Sequence, residues 1–243
     1  INPKKHNGYS DYDYLCASTL VYFFIDLLIK RSKYKINFRQ YLIYVLLATV
    51  CDVMPLRKLN KLLSITALNE FSFRENHIFN EIYKLSNKKN KLNINDLGYF
   101  IGPILNAGGR LGKSSYATEL LSTDNQISIN RIASKLILLN QKRKTIESKK
   151  IKDINFEKLK KENENIIIYF DPNLNEGLIG IIASKLKDYF NKPSIVITKS
   201  NNILKGSARS TKDYNIGNLI KLLCDKKIIE SGGGHNMAAG LII

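Results

Sequence analysis

The sequence predicts an α/β protein in two parts: a mostly helical first part over residues 1–140, a connecting helix over 141–162, and a smaller α/β domain over 163–243. Three observations predict it. Apolar residues in the first half recur at helical spacing. The stretch leading to residue 162 is dense in charge. From Ile166 onward, β-branched runs alternate with a helical pattern. With 243 residues and 44% hydrophobic content, the chain suits one or two domains and is too apolar for general disorder.

Each element follows from local pattern. Tyr14, Ala17, Val21, Phe24 and Leu28 are spaced 3, 4, 3 and 4 apart, one face of a helix, with Asp11 or Asp13 as its cap. Tyr41–Cys51 is apolar all round, a buried helix or strand, and stops at Asp52-Val53-Met54-Pro55, because the residue before proline leaves helical geometry. Residues 57–69 and 74–86 read as amphipathic helices, and 87–95 as a polar loop. Residues 102–112 carry so many glycines that a loop is expected, with Ser114 capping a helix to about residue 122. Ile132, Leu136, Leu139 and Ile146 continue a helical stripe into the charged stretch. The Lys/Arg run from Gln141 to Lys152 reads as a solvated helix face. Strands are expected at 166–170, 193–198 and 203–207, and helices at 177–190 and 215–227.

Charge narrows the partners. Lys and Arg number 38 against 21 Asp and Glu, a net charge of +17, which fits nucleic acid or an anionic membrane surface. The abundance of Lys, Asn and Ile also fits an A/T-rich coding sequence, which raises Lys without functional demand. The three cysteines, Cys16, Cys51 and Cys224, form no CxxC pair, so a reducing compartment is expected. No apolar run reaches the ~20 residues that span a bilayer. A cytoplasmic protein without a membrane partner is the expectation. Both ends look cut, at Ile1 and at the apolar Leu241-Ile242-Ile243, so a piece of a longer protein is expected.

Four segments can carry chemistry. Asp52 ends an apolar run, where a carboxylate either caps the next helix or binds a cation. Asn106 and Arg110 stand among Ala107, Gly108 and Gly109, which allow a ligand close to the backbone while Arg offers a forked donor to phosphate; a tight interhelical turn is the other reading. Ser207, Arg209 and Ser210 in Gly-Ser-Ala-Arg-Ser form either an anion site or a surface turn. Gly232-Gly233-Gly234-His235 can aim amides into one concavity beside an imidazole, or be a flexible loop. His6 and His77 have no supporting neighbours and read as surface histidines.

In this order the segments resemble the RecJ single-strand-specific exonucleases of the DHH phosphoesterase superfamily. Asp52-Val53-Met54-Pro55-Leu56 is similar to that family's DVxPL segment, and Ile101–Gly112 (IGPILNAGGRLG) to its NAxGR motif. Asn175–Leu186 (NEGLIGIIASKL) resembles the opening of the DHH-associated domain, and GSARS and GGGHNMAAG its closing motifs. Asn2-Pro3-Lys4 resembles the segment soon after the Asp-His-His signature.

The resemblance implies the helical C-terminal part of a DHH domain, a long connecting helix, and an α/β DHH-associated domain with a mixed sheet. It implies a Mn²⁺- or Mg²⁺-dependent 5′→3′ exonuclease acting on single-stranded DNA in repair and recombination. Asp52 takes the place of a metal ligand. Asn106, Arg110, Ser207, Arg209, Ser210, Gly233, Gly234 and His235 take the place of substrate-binding residues. Arg110, of the first part, and Arg209 and His235, of the second, are expected to face one cleft between the domains. The Asp-His-His signature is not in the sequence, so the metal site is incomplete and this chain alone is expected to be inactive. Leu174 and Asn175 stand where the family has Trp-His, and GSARS replaces GSGRS. Two alternatives are a phosphatase of oligonucleotides or nucleotides, and a non-catalytic single-strand-binding module.

Overall fold

A computed structural model describes residues 3, 11–33, 35–162 and 165–243. Asn2, Lys4 and His6 lie outside the described residues. The chain divides into two compact units, one of Ile1–Asn106 with Ser115–Ile137, the other of Ala107–Ser114 with Leu138–Ile243.

The first unit is helical: α1 Ala17–Arg31, a 3₁₀ turn Arg39–Tyr41, α2 Leu42–Cys51, α3 Lys58–Glu70, α4 His77–Leu85 and α5 Ile94–Asp96. A π-helical turn, Leu97–Ile101, leads into α6 Gly102–Leu111; α7 Ser115–Leu121 and α8 Gln126–Asp153 follow, with α6 from Ala107 and α8 from Leu138 belonging to the second unit. Its core joins α2, α4, α6 and α8 through Leu46, Phe79, Ile82, Ile104 and Leu136. Asp96 is buried against Lys88, Tyr83 and Asn90 and closes a capping box with Asn93.

Three expectations change here. The helix α1 forms, but its N-cap is Cys16, with no side-chain cap bond, and not Asp11 or Asp13. Its apolar stripe is also not buried: Val21, Phe24 and Leu28 are 54%, 49% and 50% exposed. The spacing creates the stripe, but only a covering neighbour buries it. The glycine-dense stretch is helix α6 and not a loop. Its small residues answer to packing: a Cβ on Gly102 would come within 2.5 Å of Cys51 Sγ.

The second unit holds a five-stranded mixed sheet in the order β1-β2-β3-β5-β4. Its strands are β1 Ile167–Phe170, β2 Ser194–Ser200, β3 Ile203–Arg209, β4 Ser231–His235 and β5 Ala238–Ile242. The β1–β2 pair is parallel and the others are antiparallel. Helix α10, Ile179–Phe190, packs on one face through Ile182, Leu186 and Val196; α11, Ile216–Asp225, packs on the other through Ile216, Ile220, Ala208 and Leu241. Helix α10 reaches β1, β2 and β3, whereas α11 reaches β4 and β5. Strand β4, at the edge of the hairpin, is exposed along its whole length.

The charged stretch is carried by α8 and the short α9, Phe156–Glu162, instead of one helix over 141–162. It is also less solvated than its composition suggests. Glu147 is buried and bonds both Arg143 (2.8 Å) and Lys185 (2.9 Å), and Lys150 pairs with Asp171 at 2.7 Å.

Candidate nucleic-acid interface

The register of β3, β5 and β4 assembles most of the site. Side chains alternate across a strand, so every second residue shares a face. On β3, Gly206 and Ala208 are buried toward α11, which leaves Lys205, Ser207 and Arg209 on the α10 face. Arg209 pairs with Ala238, and Ala238 with His235. Ser207 pairs with Gly240, and Gly240 with Gly233. Arg209, Ser207, Gly233 and His235 thus lie on one sheet face, Arg209 and His235 two strands or about 10 Å apart.

Gly-Gly-Gly-His is an extended edge strand, not the loop or amide concavity its glycines suggested. Its glycines have different reasons. A Cβ on Gly232 would meet Ile220, and one on Gly234 would meet the Ala238 carbonyl and Ala239; both are packing glycines. A Cβ on Gly233 would meet nothing within 4 Å. Gly233 and Gly240, a cross-strand pair, floor an open groove of about 880 Å³.

The last turn of α6 lies beside that groove within the same unit. Arg110 was expected with the first part of the chain, yet Ala107–Ser114 groups with the second unit. The reason is local. Arg110 Nη1 donates to Gly177 O at 2.9 Å, Leu111 packs into the α10 core, and Gly177 lies so close to the Arg110 backbone that a Cβ there would collide with it. Gly109 lines the groove with nothing within 4 Å of its missing Cβ.

Arg209 lies against the first turn of α10. Its Nη1 donates to Ser207 Oγ (3.0 Å) and to Ala208 O (2.7 Å). A Cβ on Gly180 would come within 2.9 Å of Arg209 Nη2, so that glycine makes room for the guanidinium. Burial lowers the pKa of Arg110, and the charges of Arg143 and Arg209 lower it further against the pull of Glu147. Burial lowers Arg209 as well. Two half-buried arginines with like charges this close form a site that an anion would relieve.

His235 is exposed, and its Nδ1 accepts from Met237 N at 3.2 Å, which leaves Nε2 as the outward donor of the neutral ring. The hairpin tip is pinned by Ile216 N donating to Asn236 O and Ser210 N donating to Met237 O. Ser210 itself is buried and donates its hydroxyl to Tyr214 O at 2.6 Å, so it supports the turn and presents nothing to a ligand. Asn106 is exposed on α6, one turn before Arg110. Asn175 accepts from Gly177 N at 2.9 Å and shapes the turn before α10. Sequence reasoning missed Gly180, Glu176 and Lys205; the last two pair at 2.7 Å in the groove.

Asp52 belongs to the first unit. It is exposed at the C-cap of α2, and the next residue, Val53, takes a φ of 54° while 87% exposed. Left-handed backbone at a β-branched residue is strained. The turn is held by Met54 N donating to Thr49 O and by Asn60 Nδ2 donating to Pro55 O. Among the described residues no three His, Cys, Asp or Glu side chains come together to hold a metal ion. A lone carboxylate does not bind a divalent cation that takes six or more oxygen ligands, so the described residues do not by themselves fit a metal site. His77 is exposed at the start of α4.

Residues 163–243 match the family model of the DHHA1 domain. The chain is 36% identical, over 85% of its length, to the single-stranded-DNA-specific exonuclease RecJ of Haemophilus influenzae, and 31% identical over 81% to that of Bacillus subtilis. Residues 163–243 thus carry a DHHA1 domain, and most of the chain is similar in sequence to RecJ exonucleases. The chain spans 38% and 25% of those two relatives. In fold, the chain matches the crystal structure of RecJ in complex with Mn²⁺ from Thermus thermophilus, with a TM-score of 0.75 and 23% identity over 89% of this chain and 32% of that one. A second structure, exonuclease RecJ bound to manganese, matches with a TM-score of 0.79 and 21% identity over all of this chain and 60% of that one. No helix among the described residues is long and apolar enough to cross a membrane.

Proposed function

We propose that this chain is the phosphate-holding part of a single-stranded-DNA exonuclease. The whole protein would hydrolyse phosphodiester bonds from the 5′ end in DNA repair and recombination, in the cytoplasm, with Mn²⁺ or Mg²⁺. The relatives named as single-stranded-DNA-specific exonucleases support this reading. The observation that carries it is the placement of Arg209, Ser207 and His235 on one face of the sheet, in the unit where Arg110 lines a groove floored by glycine. Bare backbone admits a sugar–phosphate chain closely, and guanidinium forks suit its phosphates.

The roles divide by unit. In the second unit Arg110 and Arg209 hold phosphates, His235 Nε2 donates to a phosphate oxygen, and Gly233 keeps the floor open. Asn106, in the first unit, is a substrate-binding residue by its place in the Asn-Ala-Gly-Gly-Arg motif, and Gly234 serves the hairpin packing that holds His235 in place. Asp52 is one carboxylate toward the metal. With a single such ligand, the 243-residue chain alone is expected to show no Mn²⁺-dependent digestion.

Binding of a labelled oligo(dT) across a salt series tests the reading. Contacts to the backbone are indifferent to base sequence. Arg209→Ala should weaken binding and flatten the log–log salt slope by about 0.7. Unchanged affinity and slope would overturn the site. Equal affinity for mononucleotides and long oligonucleotides would favour the phosphatase alternative.

A further inference from the structure

We infer that Glu176 sets the affinity of the groove by holding Lys205 away from the bound strand. This inference rests on the phosphate-binding reading above. Lys205 stands on the same face of β3 as Ser207 and Arg209, so it continues their row by one more step of two residues, about 6.7 Å. It is the next cation in line for the next phosphate. In the structure its Nζ instead donates to Glu176 Oε2 at 2.7 Å.

Glu176 comes from the turn before α10, between Asn175, which shapes that turn, and Gly177, which carries the Arg110 contact. Among the described residues lining the groove it is the single carboxylate, beside Arg110 and Lys205. A carboxylate in a phosphate groove opposes the ligand unless it has another task. Neutralising Lys205 is that task. The pair is half-exposed, with side chains 35% and 49% accessible, and exposed pairs contribute little to stability. It is therefore a weak latch: a phosphate can displace the carboxylate, and the carboxylate recaptures the amine when the strand moves. The Lys205 bond, followed by Ser200, holds the Glu176 carboxyl below its ordinary range, so the latch stays charged at neutral pH. An enzyme that must advance along a strand gains from a contact that competes with release.

The test is oligo(dT) binding by fluorescence anisotropy to the 243-residue chain across a KCl series. Glu176→Gln keeps the size and frees Lys205. It should tighten binding about five-fold at 0.1 M salt and steepen the log–log slope by about 0.7, the effect of one added contact. In a Lys205→Ala background the same change should have no such effect. Three outcomes separate the ideas. Arg209→Ala weakening binding together with this pattern supports the latch. Arg209→Ala weakening binding while Glu176→Gln does nothing, or tightens equally with and without Lys205, overturns the latch and leaves the phosphate site standing. Arg209→Ala without effect overturns the phosphate site itself.

Discussion

Adjacent glycines of β4 should respond in opposite ways to the same added methyl group. On Gly233 a Cβ meets no heavy atom within 4 Å, whereas on Gly234 it collides with the Ala238 carbonyl and the Ala239 side chain. Glycine in a strand is less stable than alanine by about 0.5–1 kcal/mol, because the unfolded chain is freer. Gly233→Ala should therefore stabilise the protein by about that amount. At about 2–4 °C per kcal/mol for a chain of this size, its apparent melting temperature should rise by a few degrees. Gly234→Ala should destabilise by about 1–3 kcal/mol, the cost of overpacking against backbone that cannot move away. Binding should run the other way for Gly233. Its Cβ projects about 1.5 Å from the groove floor and lifts a phosphate chain off it. Losing one hydrogen bond to a charged group costs about 1.5–3 kcal/mol, so affinity for oligo(dT) should fall at least about ten-fold. Thermal melting followed by circular dichroism, with anisotropy on the same samples, reads both effects. A Gly233→Ala protein that is more stable and binds normally would show that no strand lies on the floor. One that melts lower would show that the open Cβ direction is wrong.

Gly180→Ala should leave the melting temperature nearly unchanged, because the guanidinium end of Arg209 can move away, yet weaken oligo(dT) binding about as much as Arg209→Ala; unchanged binding would separate Arg209 from the site. Val53→Gly should stabilise by about 1 kcal/mol in chemical denaturation by relieving left-handed strain at a residue with no packing to lose. Burial would raise the pKa of Asp96, but hydrogen bonds from Lys88, Tyr83 and Asn90 outweigh it and leave the group below its ordinary 3.8. A depressed folded pKa adds stability that is complete above the unfolded value and disappears as pH falls through the folded one. Denaturation between pH 5 and pH 2 should thus show a loss of stability that Asp96→Asn, itself less stable at pH 7, no longer shows.

Much of the secondary structure was legible because period-2 and period-3.6 patterns reflect burial on one face. The strands β1, β2 and β3, helices α3 and α4, and the polar loop at 87–95 came from that signal. Two errors share one cause. Glycine density suggests a loop at α6 and an amide concavity or a loop at β4, because a missing side chain looks the same in sequence whether it frees the backbone or admits a neighbour. Gly102 admits Cys51 and Gly232 admits Ile220, so regular structure wins at both places. The stripe on α1 shows the converse: its spacing makes a helix, but no pattern within the helix says what covers it.

The candidate residues themselves were legible as types. Arginine, histidine and hydroxyls among small residues named Arg110, Ser207, Arg209 and His235 without coordinates. Their grouping was not legible, because it depends on register and on non-local contact. Pairing Arg209 with Ala238 and Ala238 with His235 put two motifs on one sheet face, and the opposite parity sent Gly234 to the other face and Ser210 into the interior. The Arg110 bond to Gly177 O drew the end of α6 into the second unit, across 67 residues of sequence. Sequence by itself determined which side chains could bind a phosphate; only the tertiary structure decided which of them share a sheet face and a unit, since strand parity and close glycine contacts act between segments that are distant in the chain.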